Sequence, residues 1–311
     1  MDFELNDDQR AIVEAIEALL GAHAGAARAI ELAPKGEYDA PLDAALAEAG
    51  FADIALGDGS GFLEAALLVE AVARAGGVVA IGAQALVAPG TAGRRLEGPI
   101  ALTTPGHKGP VRFGAQARTL LVGGVGEARV VSLEPGDGEP LVSNFGYPIG
   151  RVRVPPEQRG EWLGPGSGDR MLAWWRLAIA AETVGSMRAA LDVTGDYVKK
   201  RRQFGRAIGS FQAVQHRLAE CAVLVEGSRW LLYEAAARGA PAEAAATAAA
   251  HASAAAGRVF VETHQFTGAM GFTREHDLHV WSMRLQALRL ELDGVAGHRR
   301  ALARARWVRE P

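Results

Sequence analysis

The chain has 311 residues, 49% of them apolar, enough for one large domain or two to three small ones around a filled core. With 33 Lys and Arg against 36 Asp and Glu the formal charge is -3, so no basic excess is available for nucleic acid or an anionic membrane surface. Cys221 is the single cysteine, which excludes an internal disulfide framework and a multi-cysteine metal site and fits a reducing compartment, with the cytoplasm as the expected location.

The amino terminus, Met1-Asp2-Phe3-Glu4, shows no basic stretch followed by an apolar core, so no signal peptide is expected. Asn6 and Gln9 have capping-box spacing, and Ile12, Val13, Ile16, Leu19 and Leu20 follow at helical period. A second helix is marked by Pro41, Leu42, Leu46 and a stop at Gly50; a third runs from Phe62 through Val72 to Gly76-Gly77. Residues 1–96 are therefore expected to form an α-helical domain.

From Pro99 the pattern changes to short β-type runs at Ile100–Leu102, Val111–Phe113, Leu120–Val122, Val130–Leu133 and Val152–Val154, separated by Gly, Pro and Asp. This small β module, residues 97–165, ends in the stretch Gly164-Pro165-Gly166-Ser167-Gly168. Asp169 is a candidate N-cap for the helical remainder, with helices expected at about 171–200, 212–238, 241–266 and 278–307. Four long helices suggest an antiparallel bundle over 166–311. The Ala-rich run 244–257 is broken by Thr247, His251 and Ser253 and reads as a buried helix, so no membrane association is expected. The expected fold is mostly α with a small β module.

Two segments carry chemistry. In the first, Tyr197 leads through Lys199, Lys200, Arg201 and Arg202 to Gln203-Phe204-Gly205, then Ile208, Phe211-Gln212, His216 and Leu218-Ala219. A helix ending in a basic cluster, a Phe-Gly turn and a new helix would offer a cation and a helix terminus to a phosphate-sized anion. In the second, Gln265 is followed by Gly268-Ala269-Met270-Gly271-Phe272-Thr273. Small residues there allow close backbone approach, and Gln265 can supply an amide donor. Taken singly, a basic helix end is most often solvated and a Gly-rich stop most often a cap.

Together these segments closely resemble the acyl-CoA dehydrogenase family, with Ala269 in place of that motif's middle glycine. The opening helices and the helix through Gly185, Ala190, Leu191 and Asp192 are similar as well. The resemblance implies an N-terminal helical domain, a reduced middle β domain and a C-terminal four-helix bundle. It further implies FAD as cofactor, an acyl-CoA thioester as substrate, and a turn that reaches across a subunit interface to the flavin. Arg201, Gln203, Phe204, Gln212, Gln265, Gly268 and Gly271 would then touch the cofactor. It is poor between about residues 97 and 165, where the family's flavin-ring loops have only Thr103-Thr104-Pro105 as a remnant.

The chemistry the resemblance implies removes a proton alpha to the thioester carbonyl while the flavin accepts hydride from the beta carbon, so a base is required. Aligned on Arg176, one family position for a glutamate base is Trp175; aligned on Gly271 and Arg284, the other is Asp293-Gly294. Asp293 is the candidate base, against the reading that it caps a helix before Gly294, and Glu291 is a further alternative. His216 and His279 read as packing residues. A sound flavin turn, a reduced β domain and a doubtful base resemble the smaller chain of the heteromeric dehydrogenases of bacterial steroid side-chain breakdown. That resemblance implies a related larger partner chain, a heterotetramer and a base from the partner. A non-catalytic stabilising subunit and a homo-oligomer using Asp293 are the other readings.

Overall fold

A computed structural model describes residues 4–153 and 160–307; the expectations placed on Met1–Phe3 and Val154 fall outside them. The first helix, α1 (Asp7–His23), starts in the expected capping box: the Asn6 side chain accepts from the Gln9 N–H at 2.8 Å, and the Gln9 side chain accepts from the Asn6 N–H at 3.1 Å. It is followed by α2 (Ala26–Leu32), α3 (Ala40–Glu48), α4 (Phe62–Arg74) and α5 (Ala88–Ala92). Pro41 lies in the first turn of α3, where a missing N–H costs nothing, and Asp39 caps that turn.

The β module holds two small sheets. One runs β1 (Ile100–Thr103), β3 (Thr119–Gly123), β4 (Ala128–Ser132), β7 (Glu161–Trp162), with β1 parallel to β3 and the other pairs antiparallel. The other is the antiparallel set β2 (Val111–Arg112), β6 (Ile149–Val152), β5 (Gly138–Leu141). Alternation along the strands sends Ile100, Leu102, Leu121 and Val130 into the main core, and Ala101, Leu120, Val122 and Val131 into a separate small core. The strand expected at 152–154 lies at 149–152, and β5 was not anticipated. The reason is steric: a Cβ on Gly150 would stand 2.3 Å from the Ala115 nitrogen, and one on Gly138 would stand 2.2 Å from the Gly114 oxygen. These glycines are strand residues pressed on another backbone, whereas glycine in a sequence reads as a separator.

The bundle consists of α6 (Ser167–Lys200), α7 (Gln212–Ala237), α8 (Ala242–Thr267), α9 (Leu278–Leu288) and α10 (Gly294–Trp307). Asp169 is not the N-cap of α6; Gly166 holds that position, and the Asp169 carboxylate accepts from the Gly126 N–H at 3.0 Å, tying the first turn to the β3–β4 turn. The single final helix expected at 278–307 is broken. Leu292, Asp293 and Gly294 have φ of 51°, 63° and 62°, three consecutive left-handed residues that end one helix and start the next. A further short hairpin, β8 (Arg202–Gln203) with β9 (Arg206–Ala207), joins α6 to α7. Among the described residues no helix is long and apolar enough to cross a membrane.

Helix α6 packs on α4 on one side and on α8 on the other, and Gly185 permits the α4 approach: an added Cβ would lie 2.1 Å from the Glu70 carbonyl oxygen. Gly185→Ala is expected to cost about 1–3 kcal/mol through overpacking, read as a lower urea midpoint at unchanged slope. An unchanged midpoint would show that the two helices can separate freely.

Candidate functional site

Where the N-terminal helices, the β module and the bundle meet there is a cavity of about 570 Å³, within the size range of ligand pockets. Its apolar wall includes Ala83, Ile100, Leu102, Phe113, Ile149 and Leu172, and Thr103 and Thr104 also line it. The polar side is built around Arg112 from β2. Its guanidinium donates to Glu182 of α6 at 2.6 Å and to Glu291 of the turn after α9. Trp175, about two turns before Glu182 on α6, donates its indole N–H to the other Glu291 oxygen at 2.6 Å. Both oxygens of Glu291 are thereby engaged.

Burial works against the Arg112 cation, yet Glu182 and Glu291 together outweigh it and raise its pKa. Burial pushes the Glu182 carboxyl up, with Arg112 pulling it back. Tyr147, beneath the Arg112 guanidinium at 4.9 Å, is pushed up to about 12 by burial and then by Glu182. Alongside, Arg284 of α9 is fully buried and donates to the carbonyls of Gly76 and Gly77, at 3.0 Å each, and of Gly146 at 3.2 Å. One side chain thus closes the end of α4 and fastens both it and the β module to the bundle.

Asp293 reaches only the rim of this cavity. Its side chain is 80% exposed and pairs with Arg300 at 3.0 Å, while the left-handed run directs Glu291 inward. Trp175 and Asp293, the two positions assigned to a base by resemblance, do converge on one wall, but the carboxylate engaged there is Glu291. His216 is exposed on α7, and His279 bonds locally to the His276 carbonyl at 2.9 Å.

The other predicted residues gather at the opposite end of the bundle. Phe204 and Gly205, with φ of 53° and 78°, form the tight turn of the β8–β9 hairpin, as a two-residue loop requires. Arg201, Gln203 and Phe204 are exposed, Phe204 at 91%. Gln212 opens α7 beside them; the end of α8, with Gln265 and Gly268, meets them through Arg217 of α7, which pairs with Glu262 and lies 5.1 Å over the Phe266 ring. Tyr197 packs edge-on to His276, fixing the α8–α9 connection to the same end. Gly268 is open to solvent, whereas Gly271 is buried, and an added Cβ there would lie 2.0 Å from the Thr267 hydroxyl oxygen. The small residue at Gly271 therefore serves internal packing.

Glu182 and Lys200 lie on one continuous helix, so at 1.5 Å per residue the hairpin stands about 27 Å from this chain's cavity wall. Arg112 and Glu182 were not singled out from sequence. The available signal was Glu182 itself, a carboxylate inside the apolar run Ala178–Val184, which asks for a buried cation.

Residues 168–304 match the model of the acyl-CoA dehydrogenase C-terminal domain. The chain has the acyl-CoA dehydrogenase fold and carries that family's C-terminal domain. It is similar to the acyl-CoA dehydrogenase IpdE2 of Mycobacterium tuberculosis, 39% identical over 108 residues, which is 35% of this chain and 34% of that protein. The match thus spans about a third of the curated relative. Two solved structures share the fold across the chain. The ChsE4–ChsE5 complex from Mycobacterium tuberculosis has a TM-score of 0.82 at 24% identity, covering 100% of both chains. The steroid ACAD Tcur3481–Tcur3483 has a TM-score of 0.80 at 24% identity, covering 96% of this chain and 97% of that one.

Removing the cation tests the charge cluster in this dehydrogenase fold. Arg112→Met should cost about 3–5 kcal/mol near pH 8, because it strands two carboxylates. The Glu182 pKa is already raised in the folded state, so an ionised Glu182 penalises the variant above that pKa and protonation relieves it below. The variant's deficit in urea unfolding should therefore shrink as pH falls from 8 to 5. A pH-independent deficit would contradict the assigned pairing.

Proposed function

We propose that this chain is the smaller subunit of a heteromeric, FAD-dependent acyl-CoA dehydrogenase, and that its β8–β9 hairpin completes a flavin site housed mainly in a larger partner chain. The observation that carries this reading is the separation of about 27 Å between the hairpin and the chain's own cavity. The hairpin therefore stands well away from the chain's own cavity, and exposed Arg201, Gln203 and Phe204 are read as serving another chain.

The hairpin end suits a dinucleotide. Among the described residues Arg201, Gln203, Gln212 and Gln265 spend no side-chain donor on an internal hydrogen bond, and Gly268 leaves its Cβ space open. Arg201 would hold phosphate charge, the amides would orient polar edges, and Phe204 would cover an apolar face. When bound, the flavin supplies hydride acceptance, which side chains cannot. The chain's own cavity suits that chemistry poorly: Asp293 is turned to solvent against Arg300, and Glu291 is held by Arg112 and Trp175. The partner chain would accordingly supply the base that removes the alpha proton. Two similar structures are named as pairs of chains, and one is named a steroid ACAD. A two-chain assembly and a bulky acyl group follow from them by analogy.

The test is coexpression with the larger dehydrogenase chain, with flavin absorbance read per mole of each chain. One flavin per pair of unlike chains is expected. Arg201→Ala should weaken flavin retention about 10–100-fold, the value of a charge-assisted hydrogen bond, while the unfolding midpoint stays unchanged because the side chain is exposed. A stoichiometric flavin on the lone chain would favour a homo-oligomer. Full retention by Arg201→Ala would remove the hairpin from the site.

A further inference from the structure

Two of the four arginines that line the cavity are in opposite circumstances. Arg112 is neutralised twice over, by Glu182 and Glu291. Arg176, also on the cavity wall, has no carboxylate partner among the described residues: one Nη donates to the Leu172 carbonyl of its own helix at 3.2 Å, and its buried Nε meets no acceptor. Burial lowers its pKa, opposed only by Asp169. Nearby on α10, His298 is 0% exposed with neither ring nitrogen bonded, and burial together with the Arg176 charge pushes its pKa down to about 4. A neutral His298 gives Arg176 no compensation. Arg304 adds a second cation at the rim, whereas Arg300 is taken by Asp293.

An unpaired, half-buried guanidinium facing an apolar space is costly, and the missing counter-charge is best supplied from outside the chain. The fork of Arg176 matches a planar anion, and the wall of Ile100, Leu102, Ile149 and Leu172 asks for an apolar body. We propose that this cavity is a binding site for an apolar carboxylate, with the carboxylate on Arg176 and the hydrocarbon body against the β1 and β6 side chains. The ligand is either a free alicyclic or aliphatic acid or the distal carboxylate of an acyl thioester. The site needs neither flavin nor a partner chain, so it stands apart from the role given to the hairpin.

Calorimetric titration of the full chain, alone and in its complex, with cyclohexanecarboxylate and with cyclohexanecarboxamide gives the test. The acid should bind about 10–100-fold more tightly than the isosteric amide, and Arg176→Gln should abolish that preference while Arg176→Lys retains part of it. Hexanedioyl-CoA against hexanoyl-CoA distinguishes the sources: the same preference there assigns the carboxylate to an acyl group, and its absence alongside binding of the free acid assigns a free ligand. Equal binding of acid and amide by the wild-type chain, no binding of either, or an undiminished preference in a folded Arg176→Gln variant would overturn the proposal. The wild-type comparison decides the matter even if Arg176→Gln does not fold.

Discussion

The pairing of Arg112 with Glu182 and Glu291 is the constraint on which the rest of the molecule turns. One guanidinium joins a two-residue strand of the β module, the middle of the longest helix and the turn that splits the last helical stretch. Such a cluster is costly to desolvate and does not by itself argue for high stability. Its consequence is geometric: one guanidinium brings the three parts to a single point. Arg284 reinforces the arrangement by filling three backbone carbonyls from two other parts of the chain. The cavity is the space this clamp leaves open.

The same clamp divides the molecule's chemistry between two ends. Near the cavity, carboxylates are either locked in ion pairs or turned outward, and the backbone strain of Leu292 and Asp293 maintains that division. At the far end of α6, exposed Arg201 and Gln203 lead into a two-residue turn that carries the exposed Phe204, edge-on to Phe211. A helix of 34 residues holds the two ends apart. The interface role proposed for the hairpin rests on this spacing.

Much of the fold is legible in the sequence because its cues are local. Asn6 with Gln9, Pro41, and the helical period through Leu67, Leu68 and Val72 depend on neighbours a few residues away. The expectations failed where a distant backbone decides the outcome. Gly138 and Gly150 look like separators and are strand residues, Asp169 looks like a cap and binds another turn, and Leu292 carries no mark of left-handed backbone. The site divided in the same way. The turn at Gln203-Phe204-Gly205 is a local pattern and could be read directly. The Arg112 pairs link residues 70 and 179 positions apart, and neither spacing leaves a trace in one sequence.

The central claim is that the hairpin of this chain enters a flavin site in an unlike chain. Its most direct measurement is photocross-linking from a benzophenone side chain placed at position 204 in the assembled two-chain complex, with adducts identified by mass. The account predicts a flavin-dependent adduct between this chain and the larger chain. An adduct joining two copies of this chain, or no adduct in a complex that binds flavin, would contradict it.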